Sequence, residues 1–338
     1  MISLAIKYRP ETFDEVVEQS ATKVILQQQL DKHEVKNAYL FCGGAGTGKT
    51  TCARIFANEI NNHKGIPIEL DAASNNSVDD VRDIIQQAKT TSLDSEYKIF
   101  ILDEVHALSN QAWQAMLKVL EEPPLKTVFI MCTTDPQKIP KTILSRVQRY
   151  DFQRISATKI YDRLSYILKE ETCQAEIEEN TEALKYIAKL ANGGMRDAIT
   201  MLDKCLAYSE ELTIDNVLKA LGIANYTLLC GFLVALGKDD TVKMIDIVNQ
   251  VYMSGYDLKL FIKGLTDFVL DYSKWYLRVE NYCACPLTDD VIKAFEEYKK
   301  CREDEYPELL DSLIKLQTEI KWDTNPKSRL EAWCITGE

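Results

Sequence analysis

A glycine-rich stretch that ends in lysine and threonine carries the strongest chemical signal in the chain. Residues 43–50 read Gly-Gly-Ala-Gly-Thr-Gly-Lys-Thr and directly follow the apolar run at 38–42. Glycines let the backbone curl so that successive N–H groups face phosphate oxygens. Lys49 can reach the β- and γ-phosphates, and the Thr50 hydroxyl can ligate Mg²⁺. The pattern predicts a phosphate-binding loop between a buried strand and a helix over residues 50–60, whose positive dipole end faces the nucleotide.

An acidic pair follows a second apolar run, and it supplies the other half of the predicted site. Residues 97–102 are almost continuously apolar, and Asp103 and Glu104 come next. Strands that are apolar on both faces belong to parallel sheets, whose carboxyl ends bind ligands. We therefore expect Asp103 to hold the Mg²⁺ with its water shell. Glu104 is expected to orient and deprotonate the attacking water as a general base.

The elements around these residues alternate between strand and helix over the first 150 positions. Further strands are expected at 67–71 and 127–132, and further helices from Ser77 and over about 110–120. This order predicts a doubly wound α/β core with a parallel sheet. From Thr158 onward the apolar residues recur only at helical spacing, so an all-helical part should follow.

Composition limits the class of protein and the location of its partners. The chain has 338 residues, and its net charge of −12 is unevenly placed. Residues 1–150 carry 17 basic and 19 acidic side chains, whereas the remainder carries 23 and 33. Acidic surface repels phosphate, so contacts with nucleic acid are expected in the first part. No apolar run reaches membrane-spanning length and no signal peptide is evident, which favours a cytoplasmic protein.

The cysteines give only a weak metal signal. Ten of them are scattered singly through mostly apolar patterns, which suits reduced thiols. Cys283 and Cys285 form the only close pair, without a second pair or nearby histidines, so a structural role is favoured over metal binding.

Eight short motifs follow one another in a fixed order along the chain. They are Tyr8-Arg9-Pro10, the loop at 43–50, Asp71-Ala72-Ala73-Ser74, Asp103-Glu104-Val105-His106, Leu120-Glu121-Glu122-Pro123-Pro124, Thr133-Thr134-Asp135-Pro136, Ile143-Leu144-Ser145-Arg146 and Gly194-Met195-Arg196-Asp197. With these motifs the chain resembles, along essentially its whole length, the gamma/tau ATPase subunit of bacterial DNA polymerase III clamp loaders, an AAA+ family. This resemblance implies an ATPase core over residues 1–154, a helical lid over 155–222 and a helical collar for oligomerisation over 223–338.

The resemblance also implies roles for single residues. Thr133 or Thr134 matches the first sensor of the γ-phosphate, with Thr134 preferred. Arg196 matches the second sensor, and its alternative is pairing with Asp197 or another neighbour at the helix N-terminus. Arg146 matches an arginine finger that acts on the ATP of an adjacent subunit, and its alternative is an ordinary surface arginine. The residues implied in nucleotide binding are Tyr8, Arg9, Pro10, Gly43, Gly44, Ala45, Gly46, Thr47, Gly48, Lys49, Thr50 and Thr51.

The sequence departs from the family pattern in four places. Residues 59–67 hold no cysteine where relatives usually carry a four-cysteine zinc module, and His63 alone cannot build such a site, so we expect no zinc. Val147 replaces a usual cysteine after Arg146, and Glu18 replaces a usual glycine near the adenine site. The sequence also ends where the collar is expected to end, without the long tail of the longer family product. A compact form of this kind suits a phage or mobile-element replisome.

The expected function is that of a clamp-loader motor subunit. ATP binding would assemble a homo- or hetero-pentamer with other clamp-loader subunits, hold the sliding clamp open and place it on primer–template DNA. Candidate DNA contacts are Arg82, Lys89 and Lys98, for which solvated helix faces are an equal explanation. Two other readings are open: another AAA+ machine, such as a replication factor C small subunit or a Holliday-junction motor, and a non-hydrolysing scaffold subunit.

Overall fold

The computed structural model describes residues 2–90, 94–172, 181–209, 211–222, 226–283, 285, 287–302 and 305–337. The chain divides into two compact units: residues 1–175 with 190–200, and residues 176–189 with 201–338. The three-part division at residues 154 and 222 remains a prediction. In the described ranges, no helix is both long enough and apolar enough to cross a membrane.

The first unit is built on a parallel sheet of five strands. The spatial order of the strands is β2-β3-β4-β1-β5, and every neighbouring pair runs parallel. The doubly wound sheet expected from the sequence is therefore confirmed. Its elements are α1 Leu4–Lys7, α2 Ser20–Asp31, β1 Ala38–Gly43, α3 Lys49–Ile60, β2 Ile68–Asp71, α4 Val78–Ala88, β3 Lys98–Asp103, α5 Asn110–Glu121, β4 Thr127–Thr133, α6 Lys141–Leu144, β5 Gln148–Phe152 and α7 Ala157–Thr172.

Two apolar layers cover the two faces of this sheet. Alternate residues of β1, β3 and β4 face α4 and α5 on one side, where Phe100 and Phe129 stack with ring centroids 5.3 Å apart. The residues between them face α2 and α3, and there Phe41 and Phe56 are fully buried. Burial on both faces explains why these strands read as continuous apolar runs.

Strand β5 was not predicted. Its sequence, Gln-Arg-Tyr-Asp-Phe, alternates polar and aromatic residues, and only Tyr150 and Phe152 are buried. An edge strand has one neighbour and one exposed row, so it lacks the apolar run of a central strand. β5 pairs with β1 in register from Tyr39 opposite Gln148 to Gly43 opposite Phe152.

Local capping chemistry agrees with the sequence at α4. The Ser77 side chain accepts a hydrogen bond from the Asp80 N–H, and the Asp80 carboxylate accepts one from the Ser77 N–H. This reciprocal pair is a capping box, and Asp79 adds a second negative charge to the first turn. The predicted start at Ser77 is therefore confirmed.

The described part of the second unit is entirely helical, as expected. Its core joins residues from six helices and includes fully buried Phe232, Phe261 and Tyr272. The helices after α7 are α8 Thr181–Leu190 and α9 Met195–Tyr208, which contribute residues to both units, and α10 Ile214–Leu221, α11 Tyr226–Gly237, α12 Thr241–Met253, α13 Leu258–Tyr276, α14 Asp289–Cys301, α15 Tyr306–Ile320 and α16 Pro326–Thr336.

Candidate functional site

The phosphate-binding loop lies between β1 and α3, and close backbone approaches make two of its glycines necessary. A Cβ on Gly43 would lie 2.4 Å from the carbonyl oxygen of Phe152 in β5. A Cβ on Gly46, whose φ is +69°, would lie 3.0 Å from the Cα of Gly194. Helix α3 begins at Lys49, so its first free N–H groups lie at the end of the loop, where an anion is favoured.

Lys49 is held inside the loop rather than on its surface. Only 6% of the residue is exposed, and its Nζ donates to the carbonyl oxygens of Gly43 at 2.9 Å and Gly44 at 2.8 Å. Burial lowers the pKa of Lys49, while Glu104 and Asp103 act in the opposite direction. A buried cation of this kind is well suited to pair with a phosphate group.

The Thr50 hydroxyl and the Asp103 carboxylate meet at the end of β3. Thr50 Oγ1 donates to Asp103 Oδ2 over 2.8 Å. Hydroxyl and carboxylate oxygens are hard donors that suit Mg²⁺, which keeps most of its water ligands when it binds a protein. The pair therefore fits the role that the sequence predicts for it.

Glu104 is oriented by its backbone and by a neighbouring strand. Its φ is +47°, and its N–H donates to Asp103 Oδ1 over 3.0 Å. Its Oε2 accepts hydrogen bonds from the Thr134 Oγ1 at 2.9 Å and the Thr134 N–H at 3.2 Å, and it lies 3.2 Å from His106 Nδ1. A positive φ is unusual for glutamate, so the local contacts must hold it.

The two candidate sensor threonines differ in what their hydroxyls touch. Thr134 contacts Glu104, whereas Thr133 is fully buried and its Oγ1 lies 3.2 Å from His106 Nδ1 and accepts from the Asp135 N–H. Of the two, only Thr134 places its hydroxyl on Glu104 among the described contacts, and its role as the first sensor stays a prediction.

A pocket of about 140 Å³ lies against the loop within the first unit. Its wall combines the loop with the N-terminal segment, the start of α7 and the start of α9. The lining residues are Ala5, Tyr8, Arg9, Pro10, Val16, Val17, Gly46, Thr47, Gly48, Lys49, Thr50, Thr51, Ile155, Arg163, Met195, Arg196 and Ile199. The predicted adenine-site residues and Arg196 therefore lie in the same pocket as Lys49 and Thr50.

The start of α9, which carries Arg196, contacts the phosphate-binding loop through the backbones of two glycines. Gly46 packs on Gly194, and the Met195 N–H donates to the Gly46 carbonyl over 2.9 Å. The start of α9 is thereby attached to the loop itself. No ion pair between Arg196 and Asp197 occurs among the described contacts.

The basic residues of the pocket raise its positive potential. Burial lowers the pKa of the Arg9 guanidinium, and the nearby charges of Arg54 and Arg196 lower it further. The Glu69 carboxylate, which pairs with Arg54, acts on the pKa of Arg9 in the opposite direction. Arg9 and Arg196 give the pocket two positive charges beside the phosphate-binding loop, which suits an anionic ligand.

Sequence reasoning missed two residues that attach the N-terminal segment to α7. Arg163 Nη2 donates to the Tyr8 carbonyl over 3.1 Å, and Glu171 accepts from the Tyr8 hydroxyl and the Lys7 ammonium, both at 2.6 Å. Both residues lie on the polar side of an amphipathic helix. No periodicity signal separates them from ordinary solvated side chains.

Glu18, the departure from glycine, adopts the left-handed conformation with φ +57°. Its carboxylate accepts from the Ser156 hydroxyl at 2.6 Å and the Ser156 N–H at 3.3 Å, directly before α7. Gln19, with φ +54°, exchanges two hydrogen bonds with the Gln153 backbone. Glu18 thus has the left-handed backbone conformation that favours glycine, and its contacts with Ser156 compensate for the strain.

Arg146 does not line the pocket. It lies between α6 and β5. Its Nη2 lies 2.6 Å from Glu121 Oε1, and its Nη1 donates to the Thr142 carbonyl and the Ser145 hydroxyl. A role on the ATP of its own subunit is not supported by this position.

The three candidate DNA contacts differ in their surroundings. Lys98 donates to the Gln87 carbonyl and the Thr90 hydroxyl at the C-terminal end of α4, so it has a structural role. Arg82 pairs with Asp79 over 2.8 Å on an exposed face. Lys89 lies with Arg82 on an open groove between α4 and α5.

The close cysteine pair is buried and structural. The Cys285 N–H donates to Asp271 Oδ2 over 2.7 Å, and the Cys283 thiol donates to the Asp271 carbonyl over 3.5 Å. No cluster of three or more His, Cys, Asp or Glu side chains that could hold a metal occurs among the residues that the structure describes.

Two family models match the chain in successive segments. The model described as DNA polymerase III, delta subunit, matches residues 61–156. The model described as DNA polymerase III clamp loader subunit, ATPase lid domain, matches residues 159–211.

Curated relatives match over most of the chain. DNA polymerase III subunit tau of Bacillus subtilis is 35% identical over 95% of this chain and 60% of that protein. DNA polymerase III subunit gamma of Buchnera aphidicola is 32% identical over 87% of this chain and 86% of that protein. The tau subunit of Escherichia coli is 32% identical over 75% of this chain and 42% of its own length. The chain thus spans 60% of the Bacillus relative and nearly all of the Buchnera one.

Solved structures with the same fold include a RuvB Holliday junction branch migration motor of Thermotoga maritima. It aligns with a TM-score of 0.50 at 21% identity, over 63% of this chain and 72% of that one. A K64R mutant of the same RuvB gives a TM-score of 0.51 over 64% of this chain and 72% of that one. At this identity the likeness concerns the AAA+ fold alone.

Proposed function

The chain belongs to the DNA polymerase III gamma/tau family of clamp-loader subunits, and we propose that it is an ATPase subunit that opens a sliding clamp and loads it on primer–template DNA. The proposal divides it into an ATPase core at 1–154, a lid at 155–222 and a collar at 223–338. The match of the lid model to residues 159–211 supports the middle part of this division.

One arrangement carries the proposal: Lys49, the Thr50–Asp103 pair and the Thr134–Glu104 pair at the carboxyl ends of β1, β3 and β4. Lys49 would bind the β- and γ-phosphates of ATP, assisted by the backbone N–H groups of residues 43–51. Glu104 would accept the proton of the attacking water, and the Thr134 hydroxyl holds its carboxylate in place.

Thr50 and Asp103 are the residues that would hold Mg²⁺. When bound, the ion would neutralise part of the negative charge of the phosphates. The protein's own contribution is the fixed separation of 2.8 Å between the two oxygens and the helix N-terminus beside them.

Tyr8, Arg9 and Pro10 would border the adenine, and Arg196 would contact the phosphates of the same subunit. The location of all four in one pocket with Lys49 supports these roles. The positive charge of Arg196 would complement the charge of the triphosphate.

Arg146 would complete the site of an adjacent subunit, so hydrolysis would need an assembly. Its distance from the pocket of its own chain is the observation that favours action in trans. We propose that this assembly is a homo- or hetero-pentamer of clamp-loader subunits around the DNA. The groove between α4 and α5, with Arg82, Lys89 and Lys118, is the proposed phosphate contact, while Lys98 is not part of it.

The decisive experiment measures ATP turnover by the assembly with and without clamp and primed DNA. Turnover should rise when both are present, and Lys49→Ala and Glu104→Gln should each lower it by about a hundredfold or more. Glu104→Gln should still bind ATP, whereas Lys49→Ala should not. If both variants hydrolyse ATP like the unmodified assembly, the chain is not the catalytic subunit.

A mixing experiment tests whether Arg146 acts as an arginine finger on the adjacent subunit. Arg146→Ala should bind ATP normally and lower turnover by about a thousandfold. An assembly that mixes Arg146→Ala with Lys49→Ala subunits should recover activity only at the junctions where an intact Arg146 faces an intact Lys49. Full turnover by Arg146→Ala alone would remove the shared-site proposal and leave the ATPase proposal standing.

A further inference from the structure

Arg146 is tied to a carboxylate of its own subunit. Its Nη2 lies 2.6 Å from Glu121 Oε1, and its Nη1 donates to the Thr142 carbonyl at 2.7 Å and to the Ser145 hydroxyl at 3.1 Å. About a third of the arginine side chain and about half of the glutamate side chain remain exposed. Three contacts thus fix a long side chain that would otherwise sample many rotamers.

The contacts leave part of the donor capacity of the guanidinium available. Both terminal nitrogens have partners, while Nε has none among the described residues. A guanidinium carries five N–H groups, so three contacts leave two of them for phosphate oxygens. The ion pair with Glu121 therefore orients Arg146 without consuming it.

The position of Glu121 cannot be explained by the stability of its helix. It is the last residue of α5, where the negative end of the helix dipole disfavours a carboxylate. Glu122, the next residue, is also exposed but has no contact with Arg146 in the described structure. An acidic side chain at the unfavourable position, in contact with the arginine, points to a role beyond folding.

We propose that Glu121 is a positioning residue for Arg146, which it holds extended and ready to engage the ATP of the adjacent subunit. The inference rests on the proposed role of Arg146 in trans. Because the pair is partly exposed, its contribution should be modest, about two- to fivefold in turnover.

The test compares Glu121→Gln with the control Glu34→Gln in the complete assembly, with clamp, primed DNA and ATP. Glu34 is an exposed glutamate on the loop between α2 and β1, and it lines neither the pocket nor the groove between α4 and α5. Glu121→Gln should lower kcat about two- to fivefold with KM for ATP unchanged, and Glu34→Gln should change neither. Added salt should reduce the difference between Glu121→Gln and the unmodified assembly, because exposed ion pairs are screened. Both variants should unfold at the same temperature as the unmodified chain or slightly above it.

A double-mutant cycle separates positioning from a general structural effect. In an Arg146→Ala background, Glu121→Gln should have no further effect, because the group that it positions is gone. Equal effects in both backgrounds, an unchanged kcat, or a raised kcat would each overturn the inference. If Arg146→Ala itself keeps full turnover, the proposed finger fails instead, so the two failures are distinguishable.

Discussion

Glu18 allows a sharp prediction, because its backbone conformation and its side-chain contacts oppose each other energetically. Its φ of +57° is a region that costs an L-residue about 1–2 kcal/mol relative to glycine. Its carboxylate accepts two hydrogen bonds from Ser156 before α7, which together contribute about 1 kcal/mol at an exposed site. Two substitutions distinguish the cost of the backbone conformation from the contribution of the hydrogen bonds.

Glu18→Ala removes the hydrogen bonds and keeps the backbone strain, so it should lower the free energy of unfolding by about 1 kcal/mol. Glu18→Gly removes the same bonds but relieves the strain. Against this gain stands the extra conformational entropy of glycine in the unfolded chain, about 0.5–1 kcal/mol. Glycine at position 18 should therefore be more stable than alanine by about 0.5–1 kcal/mol.

The same pair of changes at Asp83, an exposed residue in the middle of helix α4, provides the control. There the alanine variant should be more stable than the glycine variant by about 1 kcal/mol, as expected in an exposed helix interior. Urea unfolding of all four variants, followed by circular dichroism, gives the midpoints at a common m value. If the alanine variant at position 18 is as stable as the glycine variant, or more stable, the left-handed conformation does not determine stability there and the strain argument is wrong.

Three further outcomes follow from single contacts. Thr134→Val should lower the rate of single-turnover ATP hydrolysis on the order of tenfold while ATP binding is kept, because Glu104 loses its hydroxyl partner; an unchanged rate would exclude Thr134 as that partner. Asp271→Asn should lower the free energy of unfolding, measured by urea titration, by about 1–3 kcal/mol. The reason is that this carboxylate is 2% exposed and contacts Lys274 and the Cys285 N–H. The control Asp246→Asn, on an exposed helix face, should change the free energy of unfolding by less than about 0.5 kcal/mol. Burial raises the pKa of Tyr298 from 10.0 to about 12, so the folded state holds the phenol proton more tightly than the unfolded state does. The resulting contribution to stability is fully present below pH 10 and is lost as the pH rises towards 12. Tyr298→Phe should therefore flatten the alkaline decline in melting temperature, and an identical decline in both proteins would refute the raised pKa.

The sequence predicted the core of the fold because burial leaves a strong pattern in it. Strands β1, β3 and β4 are apolar on both faces, and each was expected within about one residue of its observed position. Strand β5 was missed because an edge strand buries only alternate residues. The helices after residue 157 were predicted only as one helical part, because apolar residues at helical spacing indicate a buried face but not the ends of each helix.

The candidate site was predictable wherever chemistry requires a particular residue at a particular spacing. Lys49, Thr50, Asp103 and Glu104 follow directly from the loop and the acidic pair, and the structure brings them together. The contacts of Arg163 and Glu121 could not be predicted, because each contact depends on which distant segment of the chain lies beside the residue. A side chain that acts across more than twenty residues of sequence leaves no local periodicity.

The phosphate-binding loop with Arg196 and the proposed finger Arg146 are held in place by different kinds of contact. On the nucleotide side, Gly46 packs directly on Gly194, and the Met195 N–H bonds to the Gly46 carbonyl. Contacts between backbones cannot adjust by rotating a side chain, so the phosphate-binding loop and the start of α9 with Arg196 must move together. Arg146, in contrast, is held by one exposed ion pair and two hydrogen bonds, which salt or a partner surface can rearrange. ATP binding should therefore depend on rigid geometry, whereas the step that needs a neighbouring subunit should be the one sensitive to ionic conditions.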